Sequence, residues 1–258
     1  MSIPFNYRID GTAIIPTYAT DVVMEEVVAG ERAEMLEIAY RHGVYVADRH
    51  WQKAYNFDLR IYFPFDEDPD LFRIALHGFN TLVYGGKKTL TRYDHDVAAD
   101  LQCEVIAVDE TTQGSGSGRF VWPYSMWNLR GYWEEASAQT ETDVGLGASG
   151  TIGPFTVGGD VRTEPKLTIT CTADGATPAV EHVATGAKLT VVGSYVNTDV
   201  IVIDVANDSV TLNGVAAKNI LRITRGYLME LDPAAVSLAF TSDSGTWTVD
   251  TEWRDRYR

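Results

Sequence analysis

Little in this sequence supports covalent or metal chemistry. The 258 residues hold two cysteines and five histidines. Cys103 and Cys171 fall in what read as different domains. That excludes a disulfide framework, and it excludes a cysteine-based zinc site, which needs paired cysteines at short spacing. Two free thiols suit a protein made in a reducing cytoplasm. Both read as small strand-core residues, Cys171 within the alternating run Leu167-Thr168-Ile169-Thr170-Cys171. Positive charge is also scarce. Lys and Arg total 21 against 36 Asp and Glu, a formal net charge of −15. That balance counts against nucleic-acid phosphate and anionic lipid as main partners. Long apolar runs are missing as well. The longest in the C-terminal half is Val200-Ile201-Val202-Ile203, far from the ~20 residues of a membrane-spanning helix. The opening MSIPFNYRID has no charged segment followed by an apolar core, so no secretory signal is expected.

What is present is ordinary for a folded protein: 45% hydrophobic and 22% charged residues, values typical of globular chains. The length suggests about two domains. Two Gly/Ser-rich stretches, 111–118 and 137–153, lack apolar periodicity and read as loop or linker. The domain boundary is placed in the second, giving domains 1–150 and 151–258. Residues 1–150 hold 12 basic and 23 acidic side chains, a net −11, and residues 151–258 hold 9 and 13, a net −4.

The N-terminal domain reads as α+β. Strands are expected at 33–40, 43–46, 57–63 and 100–108. One helix is well signalled: Asp68 as N-cap, Pro69 at the first helical position and Asp70 in the first turn. Phe72, Leu76, Phe79 and Val83 then mark one helical face, and Gly85-Gly86 stops it. The C-terminal domain reads as all-β, with strands at 166–172, 179–184, 188–193, 199–205, 209–212, 220–224, 236–241 and 246–253. Turn signals at Asp174-Gly175, Thr185-Gly186, Asn207-Asp208, Asn213-Gly214 and Ser244-Gly245 separate them. Asn-Gly is the strongest, since a type I′ turn needs positive φ at both central residues. Many short strands at this spacing indicate a β-sandwich or jelly roll. The fold class expected is therefore mainly β.

The search for chemical motifs yields no catalytic, cofactor-binding or metal-binding residues. Gly145-x-Gly147-x-x-Gly150 matches a dinucleotide fingerprint as a string, but it lacks the flanking strand and helix and reads as linker. Asp66-x-Asp68-x-Asp70 begins like a calcium loop. It then has Leu71 where Gly is needed and His77 where the bidentate Glu belongs. The histidines, His42, His50, His77, His95 and His182, form no H-E-x-x-H pattern. Asp94-His95-Asp96 can orient an imidazole but has no nucleophile motif beside it. Gly114-Ser115-Gly116-Ser117-Gly118 is not G-x-S-x-G. A glycosidase pair of carboxylates requires a separation that sequence does not give. The aromatic run Trp122-Pro123-Tyr124-Ser125-Met126-Trp127, with Trp133, reads as core or subunit interface, with sugar stacking as the lesser reading.

Three passages resemble the distal tail protein (Dit) family of long-tailed phages. The first is the helix from Asp68 to Val83, followed by strand, Gly/Ser loop and Arg119-Phe120-Val121-Trp122-Pro123. The second is the run from Val157 to Ile169, in which Gly159-Asp160 is followed by Pro165 and an alternating strand. It is similar to the start of that family's galectin-like C-terminal sandwich. The third is the ordered series Val200–Asp204, Val210–Gly214, Tyr227–Pro233 and Trp253–Arg258. Ala234 follows Leu231-Asp232-Pro233 where the family usually has Gly. The resemblance covers about residues 57–258.

The resemblance implies a structural virion protein of the phage tail tip, without enzymatic activity and without cofactors, assembled in the host cytoplasm. It implies a self-associated ring, typically a hexamer, built through the N-terminal domain and lying between the tail tube and the tip or baseplate. The partners it implies are the major tail protein of the tube, a Tal-like tip protein and the tape measure protein, with a receptor-binding protein or host glycan beyond them. No membrane partner is implied, and DNA would only pass through the lumen, which the −11 domain would line. The competing reading is a carbohydrate-binding module, with a glycoside hydrolase behind it. Fold alone does not decide, because sandwiches host many unrelated functions.

Overall fold

A computed structural model describes residues 7–14, 21–26, 55–63, 69–94, 99–110, 113–114, 120–128, 131–224 and 229–257. The expected strands at 33–40 and 43–46 and the Asp68 cap lie outside the described residues. The chain forms two compact units, and the second takes in Ser137–Tyr257.

The first unit contains strands β1 (Arg8–Ile9), β2 (Thr12–Ala13), β3 (Asp21–Glu26) and β4 (Tyr55–Phe63), then helix α1 (Pro69–Val83). Strands β5 (Lys88–Asp94), β6 (Ala99–Glu110), β7 (Gln113–Gly114), β8 (Phe120–Asn128) and β9 (Trp133–Glu135) follow. Its antiparallel sheet runs β2-β1-β5-β6-β8-β4-β3, with β7 beside β8 and β9 beside β6. Alternation drives the long strands: Leu101, Cys103 and Val105 of β6 are buried in a period of two. The helix starts at Pro69 as expected, because that position needs no N–H partner. Phe79 and Val83, four apart, are buried, whereas Ile74 on another face is exposed. Tyr84 N–H still bonds Asn80 O, and the chain then leaves through Gly85 and Gly86, both at positive φ. The β1–β2 turn, Asp10-Gly11, has positive φ at both residues. Asp10 also ties this hairpin to β5, its carboxylate accepting from Thr89 N–H at 2.9 Å and pairing with Lys88 at 3.2 Å.

The second unit contains β10 (Gln139–Leu146), β11 (Ser149–Thr156), β12 (Lys166–Ala176), β13 (Ala179–His182), β14 (Ala187–Val191), β15 (Ser194–Tyr195) and β16 (Val200–Asp204). It continues with β17 (Ser209–Leu212), β18 (Val215–Ala216), a 3-10 turn at Lys218–Ile220, β19 (Leu221–Thr224), β20 (Ala235–Thr241), β21 (Ser244–Trp253) and β22 (Arg256–Tyr257). One sheet runs β10-β21-β12-β16-β17-β18, with β15 on β12, and the other runs β11-β20-β13-β14-β19. Inward residues of both sheets form one core, including Leu167, Ile169, Ile201, Val180, Leu189 and Leu238. Trp247 is its largest fully buried member, with Tyr195 edge-on at 5.9 Å and Phe240 at 6.3 Å. The mainly β expectation holds, and the eight expected C-terminal strands appear with ends moved by a few residues.

Three expectations need correction. The stretch 137–153 is not a linker. Most of it forms β10 and the start of β11, which pair with β21 and β20 at one edge of each sheet. Apolar alternation is missing there because both are edge strands with solvent on one side. Gly145 and Gly153 take positive φ where the registers shift. Asp174-Gly175 and Ser244-Gly245 are not turns either. They lie inside β12 and at the start of β21, at the irregularity between the Ala173↔Thr246 and Ala176↔Ser244 pairs where the register shifts. A Cβ on Gly175 would come within 2.6 Å of Trp247 Cζ2, and one on Gly245 within 2.5 Å of Gly175 Cα. These glycines let two backbones close over the tryptophan. Asn213-Gly214 is a turn as expected, with φ of 50° and 79°.

Trp247→Ala is expected to cost about 4 kcal/mol of unfolding free energy, as a large buried side chain replaced by a void. Val215→Ala, at an exposed position, should change stability by less than about 0.5 kcal/mol. Denaturant titration of the two variants checks the difference.

Candidate functional site

Among the described residues, no cluster of groups able to do chemistry is assembled. Among the described residues no three His, Cys, Asp or Glu side chains gather as metal ligands. His77 is exposed on α1, and His182 is buried on β13. His42, His50 and His95, the Asp66-Asp68 pair, the Asp70 side chain and Ser115–Gly118 lie outside the described residues. The Gly145-x-Gly147-x-x-Gly150 string forms the end of β10, a tight connection and the start of β11, with no helix after it. One of the best-formed hollows, in the first unit, is lined by Thr89, Gln102, Cys103, Glu104, Tyr132 and Glu134 and measures about 100 Å³. Small-molecule pockets are usually about 300–1,000 Å³. Its carboxylates are already engaged: Glu104 pairs with Lys87 at 3.2 Å, and Glu134 accepts from Gln102 Nε2 at 3.3 Å. Burial pushes the Cys103 thiol up, and it does the same to Cys171, so neither is a poised nucleophile.

Of the aromatic run, the side chains of Trp122, Tyr124 and Trp127 lie outside the description. Trp133 is fully buried, with the Arg92 guanidinium 4.3 Å from its ring centroid, and Met126 is buried in β8. Trp133 is therefore a core residue. Asn128, also fully buried, accepts from Gly131 N–H at 2.9 Å and donates to Tyr132 O at 3.0 Å. It supplies partners to backbone groups that would otherwise be buried unpaired.

Parts of the second and third passages that carried the resemblance meet in space, at a polar clasp that joins residues 158–164, 231–232 and 253–256. Arg256 is buried, and its guanidinium pairs with the Glu164 carboxylate and donates to Arg162 O at 3.2 Å. Arg256 O accepts from Asp160 N–H and Val161 N–H at 2.9 and 3.2 Å. Asp255 accepts from Gly158 N–H at 2.8 Å and from Trp253 Nε1 at 3.1 Å, while the Trp253 ring stacks on Phe155 at 4.5 Å. Thr163 and Leu231 exchange both backbone bonds, and Arg162 pairs with Asp232 at 2.6 Å. Gly159 sits at φ +78°, and a Cβ there would collide with the Arg256 carbonyl. The Gly-Asp…Pro, Leu-x-Pro and terminal aromatic-basic segments are thus three parts of one fastening. Sequence reading found the segments but not their contact, which no spacing rule encodes.

His182 lies beside this region. Its Nδ1 is 2.9 Å from Thr185 Oγ1. Burial pushes the imidazole below its ordinary value, and Arg162 pushes the same way against the opposing pull of Asp232.

Residues 158–257 match the family described as siphovirus-type tail component, C-terminal domain. A search of curated proteins returned no match. Among solved structures, the Dit protein (gp 19.1) of SPP1 is similar over 99% of this chain and 100% of its own, with a TM-score of 0.69 and 14% identity. That protein is described as a paradigm of the hub adsorption apparatus in phages infecting Gram-positive bacteria. A chain of the phage P2 baseplate in its calcium-activated conformation aligns over 79% of each chain, at 12% identity and a TM-score of 0.37. The family match lies within the second unit, and the chain is similar in fold to the SPP1 Dit protein, as the residues led one to expect.

A His kept neutral in the folded state favours folding at high pH. The unfolded chain takes up the proton near its ordinary value of about 6.5. The contribution of His182 is therefore complete above that value and is lost as pH falls toward the lower folded value. The denaturant midpoint should drop between pH 7.5 and pH 5, and His182→Gln should show a shallower drop over the same range.

Proposed function

We propose that this chain is a structural component of a long-tailed phage tail, a ring-forming hub at the tail tip without enzymatic activity. The observation that carries this reading is the family match of the second unit, joined to a fold shared end to end with the SPP1 Dit protein. In this reading the protein resides in the virion and is assembled in the host cytoplasm. The first unit carries the ring contacts, and the second unit, with Ser137–Tyr257, forms an outer module. The ring, of six copies, joins the tail tube to the tip proteins. A ring needs a heterologous interface whose rotation closes, and different surfaces of one chain must then be complementary. Open strand edges suit that task. The acidic excess of residues 1–150 is placed at the lumen, where like charge would keep passing DNA from adhering.

The test is the mass of the full-length protein in solution together with negative-stain electron microscopy. The expected result is rings with the mass of six 28.5 kDa chains. A monomer at all concentrations that gives a glycan-array signal would instead support the carbohydrate-binding reading.

A further inference from the structure

Asn213-Gly214 is a turn that also carries chemistry of its own. Asn213 is the only asparagine in the chain followed by glycine, and the pair stands exposed between β17 and β18. A glycine has no Cβ to obstruct attack by its amide nitrogen on the preceding asparagine side chain. The surroundings leave room for that attack: beyond the chain neighbours, no heavy atom lies within 4 Å of where a Gly214 Cβ would stand. Among the described residues the Gly214 N–H has no acceptor, so the nitrogen is open to water. The asparagine side chain is held instead. Its Nδ2 donates to Asp199 Oδ1 at 2.8 Å, and its Oδ1 accepts from Val200 N–H at 2.9 Å. Both ends of the amide are thereby fastened to the Asp199–Val200 segment. Asp199 is itself anchored, its other carboxylate oxygen accepting from Val196 N–H at 2.9 Å. A ring between Asn213 Cγ and the Gly214 nitrogen closes only when the side chain swings toward that nitrogen, which takes Nδ2 off Asp199.

We propose that Asn213 is a deamidation site that Asp199 holds closed. In the reaction the Gly214 amide nitrogen gives its proton to solvent and attacks Asn213 Cγ. An N–C bond forms, the Cγ–Nδ2 bond breaks, and Nδ2 takes a proton from solvent and leaves as ammonia. Water then opens the cyclic imide at one of its two carbonyls, leaving aspartate or its β-linked isomer at 213. The overall exchange consumes water and releases ammonia, with no oxidant, metal or enzyme. The product does not restore the fastening. An ionised carboxylate only accepts hydrogen bonds, so aspartate at 213 sets oxygen against oxygen at Asp199, and like charges at contact repel. The β-linked isomer also adds a methylene to the backbone of a hairpin loop whose length fixes the register of its strands. Deamidation therefore runs one way and loosens β17 and β18, which end their sheet. Asp199 acts as a positioning residue, keeping the side chain off the nucleophile beside it.

The test uses the full chain. Wild type and Asp199→Ala are incubated at mildly alkaline pH, and residue 213 is followed by peptide mass spectrometry, where deamidation shows as an amide replaced by an acid. Asp199→Ala is expected to deamidate at 213 about tenfold faster than wild type, the factor for a hydrogen bond to a charged acceptor that no longer has to break first. Asn207 supplies an internal control. It is exposed in the β16–β17 turn, and its side chain is held by Asp204 rather than Asp199. Its rate should be the same in both proteins. Equal rates at 213 in the two proteins would overturn the proposal. Equal acceleration at Asn213 and Asn207 would overturn it as well, because general loosening and not the Asp199 contact would then control the reaction.

Discussion

The clasp of the second unit depends on one buried guanidinium. Arg256 lies under the surface with Glu164 as its counter-charge, and its own carbonyl receives two backbone amides from the segment that leads into β12. A charge removed from water is tolerated only when its partners are present and well placed. The segment before β12 and the C-terminal segment are therefore held in the arrangement that keeps Glu164 beside Arg256. Asp255 extends the fastening by taking two more donors, Gly158 N–H and the Trp253 indole. Because Trp253 also stacks on Phe155, the polar clasp is continuous with the apolar core. The core supplies the larger share of stabilisation, and the clasp fixes the segment before β12 against the C-terminal segment.

The same economy runs through the rest of the described residues. Carboxylates serve as acceptors for backbone and side-chain donors. Asp199 takes Val196 N–H and Asn213 Nδ2, and these bonds, the Asn213 one foremost, hold its carboxyl below the ordinary range. Asn213 in turn accepts from Val200 N–H, so the type I′ turn is tied to the neighbouring strand. Groups engaged in this way shape loops and edges.

Much of the second unit was legible from residues. β12, β16, β20 and β21 alternate cleanly because each has one face on the core, and Asn213-Gly214 marks a turn whose backbone few other pairs adopt. β10 and β11 were misread as linker for a physical reason. Edge strands in contact with water carry Thr, Glu and Gly, the composition of a loop. Gly175 and Gly245 misled in the opposite direction, since a glycine admitting a tryptophan ring resembles a glycine making a turn. Helix α1 announced its start through Pro69 and its buried face through Phe79 and Val83. Asp10-Gly11 was a readable hairpin signal that went unused. The clasp was beyond reach, because Glu164 and Arg256 are 92 positions apart and nothing in either segment names the other.

The account stands on the claim that the Arg256–Glu164 pair holds the clasp as a unit while the core holds itself. Amide hydrogen exchange of Glu164→Gln tests this directly. The account predicts faster exchange at Asp160 and Val161, whose N–H groups bond Arg256 O, with Ile169 and Val249 in the core remaining slow. Unchanged protection at Asp160 and Val161 would contradict it.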